Sequence, residues 1–212
     1  MKVIIKAVPL KDVRFVVTTD TTWANLPKGR SQGAYIVFVS DPRLFKNEAA
    51  IFSPLSWASH RLKRSLNTSF AAEMAALVEG TGVLEWIRAM FSEAVDHEFR
   101  LRDWKQHVAK RQAMSVIDCR GIYDHVNKPC AGVSIDRRTG LDVAIYKEEF
   151  EGITRWVDTK VMLVDCMTKW QVSSDFLRAA LRKGLYQVVE DEAAMKAKAT
   201  LREARKKKPE PG

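Results

Sequence analysis

A chain of 212 residues that is 46% hydrophobic and 29% charged can bury one domain-sized core with short extensions at its ends. Its 35 Lys and Arg against 26 Asp and Glu give a formal net charge of +9 and a pI of about 9.5, a balance that favours polyanionic partners, nucleic acid before anionic membrane. Every apolar run stops short of the roughly 18–20 residues of a membrane span, and MKVIIKAVPLKDVRF lacks the apolar centre and cleavage site of a signal peptide. Three cysteines, an odd number with no CxxC pair, point away from a disulfide framework or a structural zinc site.

Residues 1–12 show no clear period and read as an N-terminal extension, either the end of an upstream domain or an added edge strand. The main domain is expected over 13–188 and a charged tail over 189–212, a solvated helix fraying into disorder. Arg14 to Thr19 is β-branched and aromatic, a strand that Asp20 is expected to end, and Asn25, Pro27 and Gly29 then mark a turn. Gly33 to Ser40 is apolar nearly throughout, as suits a central strand. Ala50 to Ser59 is a third strand, which Pro54 assigns to an edge or a bulge. A basic connection carrying His60, Arg61, Lys63 and Arg64 leads into a helix over Thr68 to Arg88, capped by Asn67, Thr68 or Ser69. Phe70, Met74, Leu77, Leu84 and Ile87 form its buried stripe, Glu73 lies beside that stripe, and Gly80 and Gly82 imply a kink or a close approach.

Residues 92–112 are strongly charged and either continue this helix or begin another. Met114 to Asp118 is a fourth strand, again ending in an aspartate, followed by a short helix or turn with Ile122, Tyr123 and Val126. A basic loop over 129–142 precedes a helix from Asp142 and a fifth strand over Ile153 to Asp158. A last helix is expected to start near Asp165 and run on through SSDFLRAALRKG. The order β-β-β-α-β-α-β-α is an α+β layout, a five-stranded mixed sheet flanked by helices.

The acids fall at telling places. Asp20 and Asp118 end strands one and four, Glu73 lies in the first turns of the long helix, and Asp165 opens the last one. If strands one and four are neighbours, two carboxylates sit a few Å apart and raise each other's pKa, an arrangement that a divalent cation makes favourable. Magnesium takes such hard oxygen ligands, and a pair of ions about 4 Å apart can activate water and stabilise a leaving phosphodiester oxygen.

The local sequences around these acids resemble the ribonuclease H domain of copia-type (LTR) retrotransposon polyproteins. The matching pieces are Asp20-Thr-Thr-Trp23-Ala24, Arg30-Ser31-Gln32-Gly33-Ala34-Tyr35, Leu55-Ser56-Trp57-Ala58-Ser59, Ser69-Phe-Ala-Ala-Glu73-Met74-Ala75-Ala76-Leu77, Trp86-Ile87-Arg88, Val116-Ile117-Asp118 and Val164-Asp165-Cys166-Met167-Thr168-Lys169, spanning residues 13 to 170. The resemblance implies a ribonuclease H-like fold. It also implies Asp20, Glu73, Asp118 and Asp165 as catalytic ligands of two Mg2+ or Mn2+ ions, and hydrolysis of the RNA strand of RNA–DNA hybrids. Its implied partner is the reverse transcriptase portion of the same polyprotein, in an intracellular setting, cytoplasmic and particle-associated or nuclear, with no membrane role.

Some positions depart from that pattern. Thr22 replaces a second acid, Cys119-Arg120-Gly121 follows the third aspartate, Trp170 replaces a proline, and no histidine follows Arg138-Thr139. Arg120 is a candidate partner for phosphate or for the acids. These changes define an alternative reading, a catalytically degenerate nucleic-acid-binding module on the same fold. For binding a hybrid the candidates are Trp23, Lys28, Arg30, Arg61, Lys63 and Arg64, with Trp57 near the cleft. Core packing is the expected main role of Trp57 and Trp86.

Overall fold

A computed structural model describes residues 2–127 and 136–189. Its main sheet has the strands β1 (Arg14–Leu26), β2 (Arg30–Ser40), β4 (Ser53–Arg61), β5 (Ala113–Ile117) and β6 (Ile153–Trp156), in the spatial order β4-β2-β1-β5-β6. β1, β2 and β4 form an antiparallel meander, while β5 lies parallel to β1 and β6 parallel to β5. The helices are α1 (Ser69–Val95), α2 (Trp104–Ala109), α3 (Arg120–Asn127), α4 (Arg137–Glu149), α5 (Asp165–Thr168) and α6 (Asp175–Lys183). This is the expected α+β fold, a five-stranded mixed sheet flanked by helices. The two-residue strands β3 (Ala50–Ile51) and β7 (Leu185–Tyr186) pair with each other as a separate ribbon.

Alternation along β1 splits the core into two layers. Phe15 and Val17 face α1 and join Met74, Leu77, Leu84, Ile117 and Tyr146. Val16 faces the other way and joins Ile36, Phe38, Phe52, Met114, Leu163, Val164 and Tyr186. The central strands are therefore apolar on both faces. β4 is the edge strand, and the extra residue beside Pro54 makes its bulge, since Phe38 pairs with Pro54 and Val37 with Ser56.

α1 is one continuous helix, longer than expected, and the Thr68 hydroxyl caps it by accepting from the Ala71 N–H at 3.1 Å. Neither glycine kinks it. A Cβ at Gly80 would lie 2.5 Å from Thr19 Cγ2 and 3.2 Å from Val17 Cγ2, so the helix meets β1 backbone-close there, whereas Gly82 has nothing within 4 Å. The far half of α1 is anchored by Arg88, which is fully buried, pairs with Glu85 at 2.5 Å and donates to the carbonyls of Val108 at 2.7 Å and Arg111 at 2.8 Å. This clamp fixes α1 to the segment that feeds β5.

Several boundaries differ from expectation. β1 does not end at Asp20: β2 keeps pairing with it, Asp20 opposite Ala34 and Leu26 opposite Arg30, so the aspartate sits inside a long hairpin. α4 starts at Arg137 under an Asp136 cap, five residues before the expected start. The last helix is two helices, α5 and α6, separated by residues 169–174. The N-terminal segment is bonded to the domain, with Ile4 N–H donating to Leu181 O at 2.9 Å and Lys6 N–H to Ser53 Oγ at 3.1 Å. The first half of the expected basic loop, 129–135, and all of the expected tail beyond Val189 lie outside the described residues. Among the described residues no helix is long and apolar enough to cross a membrane.

Candidate metal centre and nucleic-acid face

The centre begins with strand register. β1 and β5 run parallel, with Phe15 beside Ala113 and Thr18 beside Val116. Two residues past that last pair are Asp20, inside β1, and Asp118, just beyond the end of β5, so the parallel register carries both towards the same end of the sheet. β5 ends at Ile117, so β1 loses that neighbour at the level of Asp20 and a notch opens in the sheet. The first turns of α1 bring Glu73 to the notch. One carboxylate oxygen from each of Asp20, Glu73 and Asp118 then lies within 4.8 Å of the other two.

Three acids this close repel one another. Burial, then the neighbouring Asp118, pushes Asp20 up to about 6, with Lys169 and the Thr168 hydroxyl pulling the other way. Burial and the charges of Asp20 and Asp118 hold Glu73 well above the ordinary carboxylate range. Hydroxyl donors orient the group: Thr159 Oγ1 donates to Asp118 Oδ2 at 2.8 Å, and Thr168 Oγ1 donates to Asp20 Oδ2. Trp156 Nε1 fixes the Asp118 backbone by donating to its carbonyl at 2.8 Å. Hard oxygen donors, clustered and electrostatically short of a positive charge, fit Mg2+ or Mn2+ rather than a soft metal.

Asp165, the fourth expected ligand, stands outside this group of three. It is buried, and its carboxylate accepts from the Lys169 ammonium one helical turn on. That ammonium also reaches Asp20 at 3.4 Å. Burial works against the lysine's charge, but the Asp165 hydrogen bond and the nearby Asp20 leave its pKa above the ordinary lysine value. Sequence reasoning did not assign Lys169 or Thr168 a role at the site. The signal was there in the i,i+4 spacing of Asp165 and Lys169. Arg120 does not turn to the acids: it pairs with Asp124 at 2.9 Å and lies over the Tyr123 ring. Cys119 and Cys166 are half-buried free thiols.

The nucleic-acid candidates gather around the β1–β2 hairpin tip and the connection from β4 to α1. Trp23 Nε1 donates to Leu66 O at 2.9 Å and Arg30 to Lys63 O at 2.8 Å, which ties the tip to that connection. Lys28 occupies the turn itself in left-handed backbone, and Lys28, Arg61 and Lys63 are exposed. Arg64 is engaged elsewhere, in a 2.6 Å ion pair with Asp142 of α4. Trp57 and Trp86 are not core residues, being 64% and 66% exposed. Trp57 shares the exposed register of the edge strand with Leu55, Ser59 and Arg61.

No protein-family profile matches the chain, and no curated protein does. Among solved structures the chain is similar to RNase H1 from the halophilic archaeon Halobacterium salinarum NRC-1, at 11% identity and a TM-score of 0.44, over 79% of this chain and 99% of that one. It is similar to the N-terminal RNase H domain of a Mycobacterium tuberculosis protein at 13% identity and a TM-score of 0.42, over 81% and 98%. A third is an RNase H1 isolated from compost, at 11% identity and a TM-score of 0.40, over 81% and 92%.

Proposed function

We propose that this chain is a divalent-metal-dependent endonuclease that hydrolyses the RNA strand of RNA–DNA hybrids. We further propose a copia-type retrotransposon origin, in which it acts beside a reverse transcriptase portion to remove the RNA template. The observation that carries the reading is the meeting of Asp20, Glu73 and Asp118, from two parallel strands and a helix N-terminus, within 4.8 Å. The motif order across residues 13–170 supports the element of origin.

Asp20, Glu73 and Asp118 are the residues that would hold the cation. When bound, a divalent ion there supplies Lewis acidity for a phosphoryl oxygen and lowers the pKa of a coordinated water. The chain's own residues do the rest. Thr159 and Thr168 fix the carboxylate orientations. The exposed cations of the hairpin tip and the β4–α1 connection hold backbone phosphates, and Trp23 and Trp57 offer flat surfaces for sugar and base. A hybrid is recognised in this way by shape and by 2′-hydroxyls rather than by base edges.

The test uses a hybrid with a labelled RNA strand in Mg2+ or Mn2+. The expected products carry 5′-phosphates and 3′-hydroxyls, and Asp118→Asn abolishes them. Absence of cleavage, or cleavage unaffected by Asp118→Asn, overturns the proposal. One observation favours a second reading, a metal-independent binding module: the Lys169 ammonium already lies among the acids. That reading predicts hybrid binding that survives chelator, with no cutting.

A further inference from the structure

Asp20 takes part in two groups. With Glu73 and Asp118 it forms the three-acid cluster. It also accepts from the Thr168 hydroxyl and the Lys169 ammonium, and that ammonium reaches Asp165 as well. A second cation sharing Asp20 and Asp165 would need carboxylates that this ammonium already engages. We propose that Lys169 takes the place of that second cation, so that the centre takes a single divalent ion at Asp20, Glu73 and Asp118 while the lysine ammonium neutralises Asp165 and shares Asp20.

The position of Lys169 is built, not incidental. It ends the short helix α5, whose final carbonyls are bonded to three strands of the sheet. Met167 O accepts from Ser59 Oγ at 2.6 Å and from Gln32 Nε2 at 3.1 Å, and Thr168 O accepts from Thr22 Oγ1 at 3.0 Å. Thr22, a threonine where the resembling family often carries a second acid, is therefore one of the groups that hold the lysine's backbone. The Lys169 side chain is about two-thirds buried and reaches two carboxylates from this fixed point. An ammonium is a compact positive charge with three donors, so it can satisfy Asp165 without the several waters that Mg2+ keeps.

The inference rests on the metal-centre reading above. It is tested by Mn2+ binding to the full chain, with free Mn2+ followed by electron paramagnetic resonance and heats by calorimetry. The wild type and Lys169→Arg are expected to bind one Mn2+ per chain, and Lys169→Met, which keeps the apolar stem but loses the charge, two. Asp118→Asn is expected to lose the wild-type ion, and unchanged near-ultraviolet dichroism confirms that each variant is folded. Two ions of comparable affinity in the wild type, or one ion in Lys169→Met, overturns the role of Lys169 and leaves the three-acid centre standing. No ion in any form overturns both, and that outcome is distinct because the wild type itself then fails to bind.

Discussion

Gly80 and Gly82 lie on the same helix two residues apart, and replacing each by alanine separates helix propensity from packing. In an exposed helix interior either change stabilises by about 1 kcal/mol, because alanine restricts the unfolded backbone. Gly82 has open space where a Cβ would go, so Gly82→Ala keeps that gain. At Gly80 the new methyl would meet Thr19 Cγ2 at 2.5 Å and Val17 Cγ2 at 3.2 Å. Both neighbours are buried and β-branched, with little freedom at χ1, so the helix must lift from β1. Overpacking of this kind costs about 1–3 kcal/mol, which leaves Gly80→Ala between neutral and roughly 2 kcal/mol destabilised. The propensity gain cancels between the two variants, so their difference measures the contact alone, about 1–3 kcal/mol. For a domain of this size that is roughly 3–10 °C in Tm. Urea denaturation and calorimetry on both variants provide the measurement. Equal stabilisation by the two substitutions would refute the close approach of α1 to β1, and with it the route by which Glu73 is brought to Asp20.

Arg88→Ala leaves the Glu85 carboxylate buried without its cation and the carbonyls of Val108 and Arg111 without this donor, and is expected to destabilise by about 3–5 kcal/mol. A urea midpoint within about 1 kcal/mol of wild type would contradict the clamp. In chelator, the folded Asp20 pKa of about 6 lies above its ordinary 3.8, so between those values the native chain binds more protons than the unfolded one. Its contribution is present below about pH 4 and is lost as pH rises through 6, on the order of 2–3 kcal/mol. Comparing wild type with Asp20→Asn isolates this effect, Mg2+ at neutral pH is expected to restore the loss, and matching pH profiles for the two proteins would count against it. Replacing Lys28, Arg61 and Lys63 together by alanine should weaken hybrid binding and flatten its dependence on log salt by about 2–3, while Arg64→Ala changes that slope little, both read by fluorescence anisotropy. An unchanged slope in the triple variant would remove this face from the binding surface.

The strands and the long helix were legible because their signals are local. Val16, Val17, Val37 and Phe38 are buried residues in apolar runs that only two-sided burial explains, and Met74, Leu77 and Leu84 recur at helical spacing. Pro54 marked the edge strand by its missing donor. What escaped depends on partners distant in sequence. The length of β1 past Asp20 is set by β2 continuing to pair, and no residue of β1 announces it. The exposure of Trp57 follows from β4 lying at the sheet edge with its outer positions uncovered, a fact of assembly rather than of composition. At the centre, the positions of Asp20, Glu73 and Asp118 on their elements were enough to bring them together. The Asp165–Lys169 pair is local, four residues apart, but the fastening of α5 to the sheet that sets it beside Asp20 is tertiary and left no local sign.

The parallel pairing of Phe15 with Ala113 has a kinetic meaning as well. The meander β1–β2–β4 is made from neighbouring segments and closes short loops, and α1 follows directly upon it. β5 must return across α1 and α2 to lie beside β1, a long loop whose entropy is lost before the pairing rewards it. Asp20 and Glu73 therefore belong to the early-forming half of the domain, and Asp118 arrives only with the late strand. A chain truncated before β5 would carry two of the three acids and no cation site, and the appearance of metal affinity during refolding would time the closure of the sheet.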